Sequence, residues 1–317
     1  MTENDGFSPQ RTSIQSRASK IEVADFGKLP AMPSTIGPFI RQLPDILAAR
    51  DLKLLIADMI RAKRLEKGIM IGLGGHVIKT GVTPYLIELM KNGYITAIAL
   101  NGAAMIHDFE MALSGHTSED VEQELVQGRF GFTEETGTVL NKFIVEAADR
   151  GQGMGEYMAK AFAAAEYAHA DISIIAQAGK LNIPVTVHVA IGTDVIQMHP
   201  ECDGAATGQT SFRDFQRFCQ HLERLDGGGG YLNCGSAVIL PEVFLKALSR
   251  SRNTGHEFRD FFTANFDFIR HYRPTQSIIN RPRLFGSRTY ALTGHHEIML
   301  PLLTAAVIEA GTCLSET

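Results

Sequence analysis

Histidine recurs near glycine at four places in this sequence, the last three also with a carboxylate: "GLGGHVIK" (72–79), "NGAAMIHDF" (101–109), "GTDVIQMH" (192–199) and "TGHHE" (293–297). Imidazole next to carboxylate can move protons, hold amines or ligate metals. Glycine before a helix lets the main chain approach a ligand, and the free amides of a helix start favour an anionic one. The candidate groups are therefore Gly74, Gly75, His76, Asn101, Gly102, His107, Asp108, Asp194 and His295, joined by Gly235 and Ser236 in "CGSAV" (234–238). Each also has an ordinary structural use. The glycines suit tight turns, the histidines suit hydrogen-bonded turn positions, Asp194 suits a cap, and Asp108 would be stabilised near a helix start without any ligand.

Several chemistries lack their patterns. There is no G-x-S-x-G elbow and no G-x-x-x-x-G-K-[ST] loop, and "GLGGHV" misses the strict dinucleotide fingerprint because Val77 holds its last position. Lys and Arg number 30 against 35 Asp and Glu, a net charge of −5, with no long basic run, so nucleic acid is not an expected partner. Cys202, Cys219, Cys234 and Cys313 show no C-x-x-C spacing and read as reduced thiols. No apolar run approaches the roughly 20 residues that span a bilayer, and no secretory h-region opens the chain. A soluble cytoplasmic protein without a membrane partner is expected.

The elements that would position these groups follow from apolar periodicity. Residues 1–36 are polar and aperiodic and read as an arm; 37–317 read as one domain. Residues 39–67 carry a helical pattern ending at Gly68. Short apolar strands are expected at 69–73, 95–100, 184–190, 231–234, 261–266 and 288–292. Helical patterns lie between and after them at 83–92, 103–113, 134–148, 155–180, 211–225, 241–250 and 297–310. Strands of this kind alternating with helices imply an α/β protein: a single doubly wound, mostly parallel sheet with helices on both faces and a helical amino-terminal extension. Ligands of such sheets bind beyond the carboxyl ends of the strands, where these motifs fall.

Read as whole segments, "IGLGGHVIKTGVTPYLIELMKNGYITAIALNGAAMIHDFEMAL" (71–113), "IPVTVHVAIGTDVIQMH" (183–199) and "TYALTGHHEIMLPLLTAAVIEA" (289–310) resemble the deoxyhypusine synthase family. The resemblance runs over roughly residues 40–310. It implies a Rossmann-like NAD-binding fold, a homotetramer, and transfer of an aminobutyl group taken from spermidine. Gly74, Gly75 and His76 stand where the family holds the nucleotide, as do Asn101 and Gly102. His107 stands where the family has a ribose-binding glutamate, and His295 where it has a cofactor-binding aspartate. Asp194 matches an aspartate that pairs with a spermidine amine, and Asp267 in "ANFDF" another acidic site residue. Asn280 stands at the place of the family's imine-forming lysine, and Pro241 at that of a loop histidine. With no lysine there, the resemblance implies an NAD-dependent enzyme that dehydrogenates a polyamine or other small amine and lets a free amine attack directly, with Asp194, Asp267 and Asn280 at the reaction.

Two other readings remain. His76, His107, Asp108, His188, His199 and His295 could ligate zinc or iron in a hydrolase or lyase on the same fold. Alternatively, a non-catalytic relative would only sense a nucleotide or polyamine.

Overall fold

A computed structural model describes residues 35–312. Six short apolar segments become strands: β1 Ile69–Leu73, β2 Ala97–Asn101, β3 Val185–His188, β4 Gly230–Cys234, β5 Phe262–Asp267 and β6 Arg288–Thr293. All six sequence assignments therefore find their strand. Every ladder is parallel and the spatial order is β3-β2-β1-β4-β5-β6. The order reverses between β1 and β4, the point at which doubly wound sheets open a crevice for ligands.

Successive side chains of a strand face opposite ways, so two cores form. Ile69, Ile71, Leu73, Leu232, Cys234 and Phe266 face one of them, which is filled by helices including Leu47–Arg64, Gly102–Ser114 and His296–Thr312. Met70, Ala97, Ala99 and Tyr231 face the other, against Phe218, Leu222, Leu240 and Phe244 of helices Gly204–Leu222 and Ile239–Asn253. The chain is thus an α/β doubly wound sheet covered on both faces. Among the described residues no helix is long and apolar enough to cross a membrane.

Two expected helices are each split. Pro44 interrupts the first, giving Ile36–Gln42 and Leu47–Arg64. The 155–180 pattern divides into Met154–Ala164 and Ile174–Lys180, the second capped by Ser173, whose hydroxyl accepts from the Ala176 amide at 3.0 Å. Most of the arm expected over 1–36 lies outside the described residues. Thr35 and Gly37 are already tied to the domain, since both donate to the Glu309 carboxylate, at 2.7 and 3.0 Å.

The free edge of β3 is closed by a buried carboxylate. Asp214 Oδ2 accepts from the amides of Val187 (2.9 Å) and Gly155 (2.7 Å). Burial pushes this carboxyl up to about 7, the backbone donors opposing it.

Candidate functional site

At the point of reversal the turns after β1 and β4 touch through their main chains. A Cβ on Gly74 would lie 2.1 Å from the Gly235 carbonyl oxygen, and Gly235 itself has φ +65°, so neither position accepts a side chain without rearrangement. Gly75 opens the short helix Gly75–Lys79 against Ala103 and His107. Ser236 is buried with its hydroxyl accepting from the Leu240 amide at 3.2 Å and its carbonyl accepting from Asn233 Nδ2 at 2.9 Å. Its side chain therefore helps to open the next helix, with the hydroxyl hydrogen left to donate.

On the β1–β2–β3 side lies a cavity of about 770 Å³ bordered by Lys79, Ala103, His107, Glu110, Thr136 and Asp194. Asn101 caps the helix Gly102–Ser114, its side chain accepting from the Ala104 amide at 2.9 Å. His107 Nδ1 is 2.7 Å from Thr117 Oγ1 and 3.6 Å from Glu110 Oε2. Glu110 also accepts from Thr117 at 2.5 Å and from Thr136 at 3.1 Å. Burial raises its pKa, but the hydrogen bonds from His107, Thr117 and Thr136 outweigh it and hold the carboxyl below its ordinary range. Glu110 is thus ionised and held in place.

Asp194 covers the start of this helix: a Cβ on Gly102 would lie 2.1 Å from its Oδ2. It is 7 % exposed and shares a capping box with Gln197. Burial pushes its carboxyl up to about 6. Asp108 does not share this cavity. Both its oxygens are used, accepting from the Ser173 hydroxyl (2.6 Å) and from the amides of Ile174 (2.8 Å) and Ile175 (3.1 Å). The cofactor role expected for Asp108 is therefore corrected to a structural one, anchoring the helix Ile174–Lys180.

On the β4–β5–β6 side a second corner forms around two buried side chains, Asp267 and His296. Asp267, at the end of β5, accepts from the Phe268 amide at 2.9 Å and stands 4.0 Å from His296 Nε2 and 3.9 Å from His271 Nε2. The His76 ring lies 5.1 Å from that of Phe268 and 5.8 Å from that of His296. His296 is fully buried, and neither ring nitrogen has a hydrogen-bond partner. Burial lowers its pKa more than the Asp267 charge raises it, so the imidazole is neutral at pH 7.

Of the two adjacent histidines, the one singled out from the sequence faces outward. His295 sits just before the helix His296–Thr312, its carbonyl accepting from the amides of Ile298 and Met299, and its side chain is 70 % exposed. His296, the first helical residue, is the one that turns inward.

Asn280 is not brought to this edge. It is exposed at the end of the π-helical segment Thr275–Asn280, whose Ile278 carbonyl accepts from Thr263 near the start of β5. Asp267 is four residues along that strand, or about 13 Å at ~3.3 Å per residue. The donors of the metal reading scatter as well. His188 packs against Phe218 with Nε2 3.0 Å from Thr186 Oγ1, and His199 Nε2 is 2.9 Å from the Gly131 carbonyl. Among the described residues no three or more His, Cys, Asp or Glu side chains are grouped to hold a metal ion.

No protein-family model matches the sequence, and no curated protein aligns with it significantly. Solved structures do share its fold. A conserved LOR/SDH-type protein from Methanococcus maripaludis S2 superposes with a TM-score of 0.51 at 18 % identity, over 91 % of this chain and 73 % of that one. AgrE in ternary complex with ornithine and NAD+ superposes with a TM-score of 0.52 at 15 % identity, over 84 % of this chain and 34 % of that one. This chain spans about a third of the AgrE length. A chain assigned as a deoxyhypusine synthase from Entamoeba histolytica covers 90 % of this chain at 11 % identity, with a TM-score of 0.49. At these identities the likeness is one of fold.

Proposed function

We propose that the chain is an NAD-dependent enzyme acting on a polyamine or another small amine by dehydrogenation and aminoalkyl transfer. The observation that carries the reading is the ionised Glu110 facing the same cavity as Asp194, on one side of a strand reversal whose other side holds the unpartnered His296. A cavity of about 770 Å³ with apolar walls and a few convergent polar groups has the size and character of a nucleoside site. Glu110 suits the hydroxyls of a ribose, and His107 and Thr117 hold it in that orientation. The acidic partner that the resemblance placed at 107 is thus supplied three residues later, on the same helix face. The fit to a nicotinamide dinucleotide rests on this donor set and on the strand order. NAD, when bound, supplies an acceptor for the hydride from the carbon beside the amine.

The chain's own groups divide the remaining work. Asp194 and Asp267 lie on opposite sides of the reversal, and two separated carboxylates suit the charged ends of a polyamine. Neutral His296 takes the proton released from the amine nitrogen, and Asp267 stabilises the imidazolium so formed. No side chain at Asn280 takes part, so the acceptor amine adds directly to the oxidised carbon, and the carbon–nitrogen bond to the original amine breaks as that amine leaves.

The test is a calorimetric titration of nucleotide-free protein with NAD, with and without spermidine, followed by product analysis. Saturable binding that spermidine strengthens is expected. Failure of demonstrably empty protein to bind NAD would overturn the reading.

A further inference from the structure

A second cavity, of about 780 Å³, opens where β3 begins, at the end of that strand away from the site just described. Its charged lining is mainly basic. Lys160, Arg213 and Arg217 border it against one lining carboxylate, Glu156, in a chain whose net charge is −5. Glu156 is occupied twice, by Lys160 at 2.8 Å and by Arg217. Arg213 has no ion pair among the described residues. It is half-buried beside Gly151, where an added Cβ would lie 2.7 Å from its Nη1.

Arg213 and Arg217 are four residues apart on the helix Gly204–Leu222, a spacing at which like charges repel. Two guanidinium groups held this way over a concave surface match the planar, bidentate geometry of phosphate and carboxylate oxygens. Ala159, Ile183 and Pro184 add an apolar wall, and the volume falls in the range of small-molecule pockets, about 300–1,000 Å³.

We propose that this cavity is a second ligand site, for a small metabolite carrying phosphate or paired carboxylate oxygens. It stands apart from the carboxyl edge of the sheet and serves a different molecule from the amine.

The full chain would be titrated calorimetrically with inorganic phosphate, pyrophosphate and citrate at constant chloride, the first two reporting phosphate recognition and the third paired carboxylates. One saturable event per chain is expected for at least one probe. Arg213→Ala should weaken it tenfold or more. Gln220 also lines the cavity, so Gln220→Glu, which brings a negative charge to its wall without deleting a basic group, should do the same. NAD affinity should be the same in both variants, and saturating NAD should leave the anion bound. The proposal is overturned if none of the three probes binds, if binding survives both substitutions, or if NAD displaces the anion.

Discussion

Beyond β1, β2 and β3 the polar groups bond to one another; beyond β4, β5 and β6 a buried histidine has no hydrogen-bond partner. Glu110, His107, Thr117 and Thr136 form a closed network around a cavity, each member engaged. His296 is fully buried with both ring nitrogens unpaired, and the Asp267 carboxylate stands 4.0 Å away. An unpaired buried polar group costs about 1–3 kcal/mol, which makes His296 a candidate for a functional role. In the proposed function the first region holds a molecule in one orientation, and the second exchanges a proton with what is held.

The largest effect should come from the second region. His296→Ala is expected to lower turnover by about 10²–10⁴-fold, the usual weight of a positioned proton acceptor, with NAD affinity unchanged. Steady-state rates paired with NAD titration check this, and thermal melts show whether the variant is folded. Turnover within threefold of the parent would make the corner merely structural. Next comes the first region. Glu110→Gln removes a charged hydrogen bond worth about 1.5–3 kcal/mol, so the Kd for NAD should rise roughly 10- to 100-fold. An unchanged Kd would remove Glu110 from the cofactor site.

Smaller still is a pH effect at Asp194, whose carboxyl burial raises to about 6. Below that pH it is neutral and attracts an ammonium weakly, and above it is ionised. Affinity for spermidine should therefore grow about tenfold between pH 5 and pH 7, the change in the ionised fraction across that window, and Asp194→Asn should flatten the profile. The stability linkage runs the other way. A carboxyl whose folded pKa lies above its unfolded one favours the folded state at low pH, and that contribution is lost as pH rises from about 4 to about 6. Chemical denaturation over the same range should show Asp194→Asn with a shallower decline. If instead spermidine binding shows no slope between pH 5 and 7, the amine is held elsewhere.

The architecture was readable because each strand is a short apolar run, closed in every case but β5 by glycine or asparagine at its carboxyl end or soon after, and the six segments needed only their order. Identifying side chains by neighbourhood in sequence was less secure. Consecutive helical residues point about 100° apart, so Asp108 turns into the core while His107 faces the cavity. The residue on its own face is Glu110, at i+3, and the pattern His-x-x-Glu in "HDFE" was the available signal. The same rotation separates His295 from His296. Whether the first or the second histidine enters depends on where the helix begins, and caps shift by one residue without altering the apolar pattern. Asp267 reached the edge because it ends a strand, where the direction of the chain settles the location.

The smallest expected effect is the sharpest check on that distinction between order and place. Asn280 was matched to a reacting position by the order of sequence blocks, yet Tyr272–Arg283 forms a run of helical turns between β5 and β6 that returns toward the start of β5. Its side chain makes no capping hydrogen bond and is exposed. Asn280→Ala should therefore change stability by no more than about 0.5 kcal/mol, the ordinary range for a surface substitution, and leave turnover and spermidine affinity where they were. Urea denaturation and steady-state rates suffice to measure it. A hundredfold loss of turnover in a normally stable variant would mean that Asn280 reaches a reacting centre, in this chain or across an interface between copies. It would also remove the division between a holding region and a proton-exchanging one as the whole account of the site.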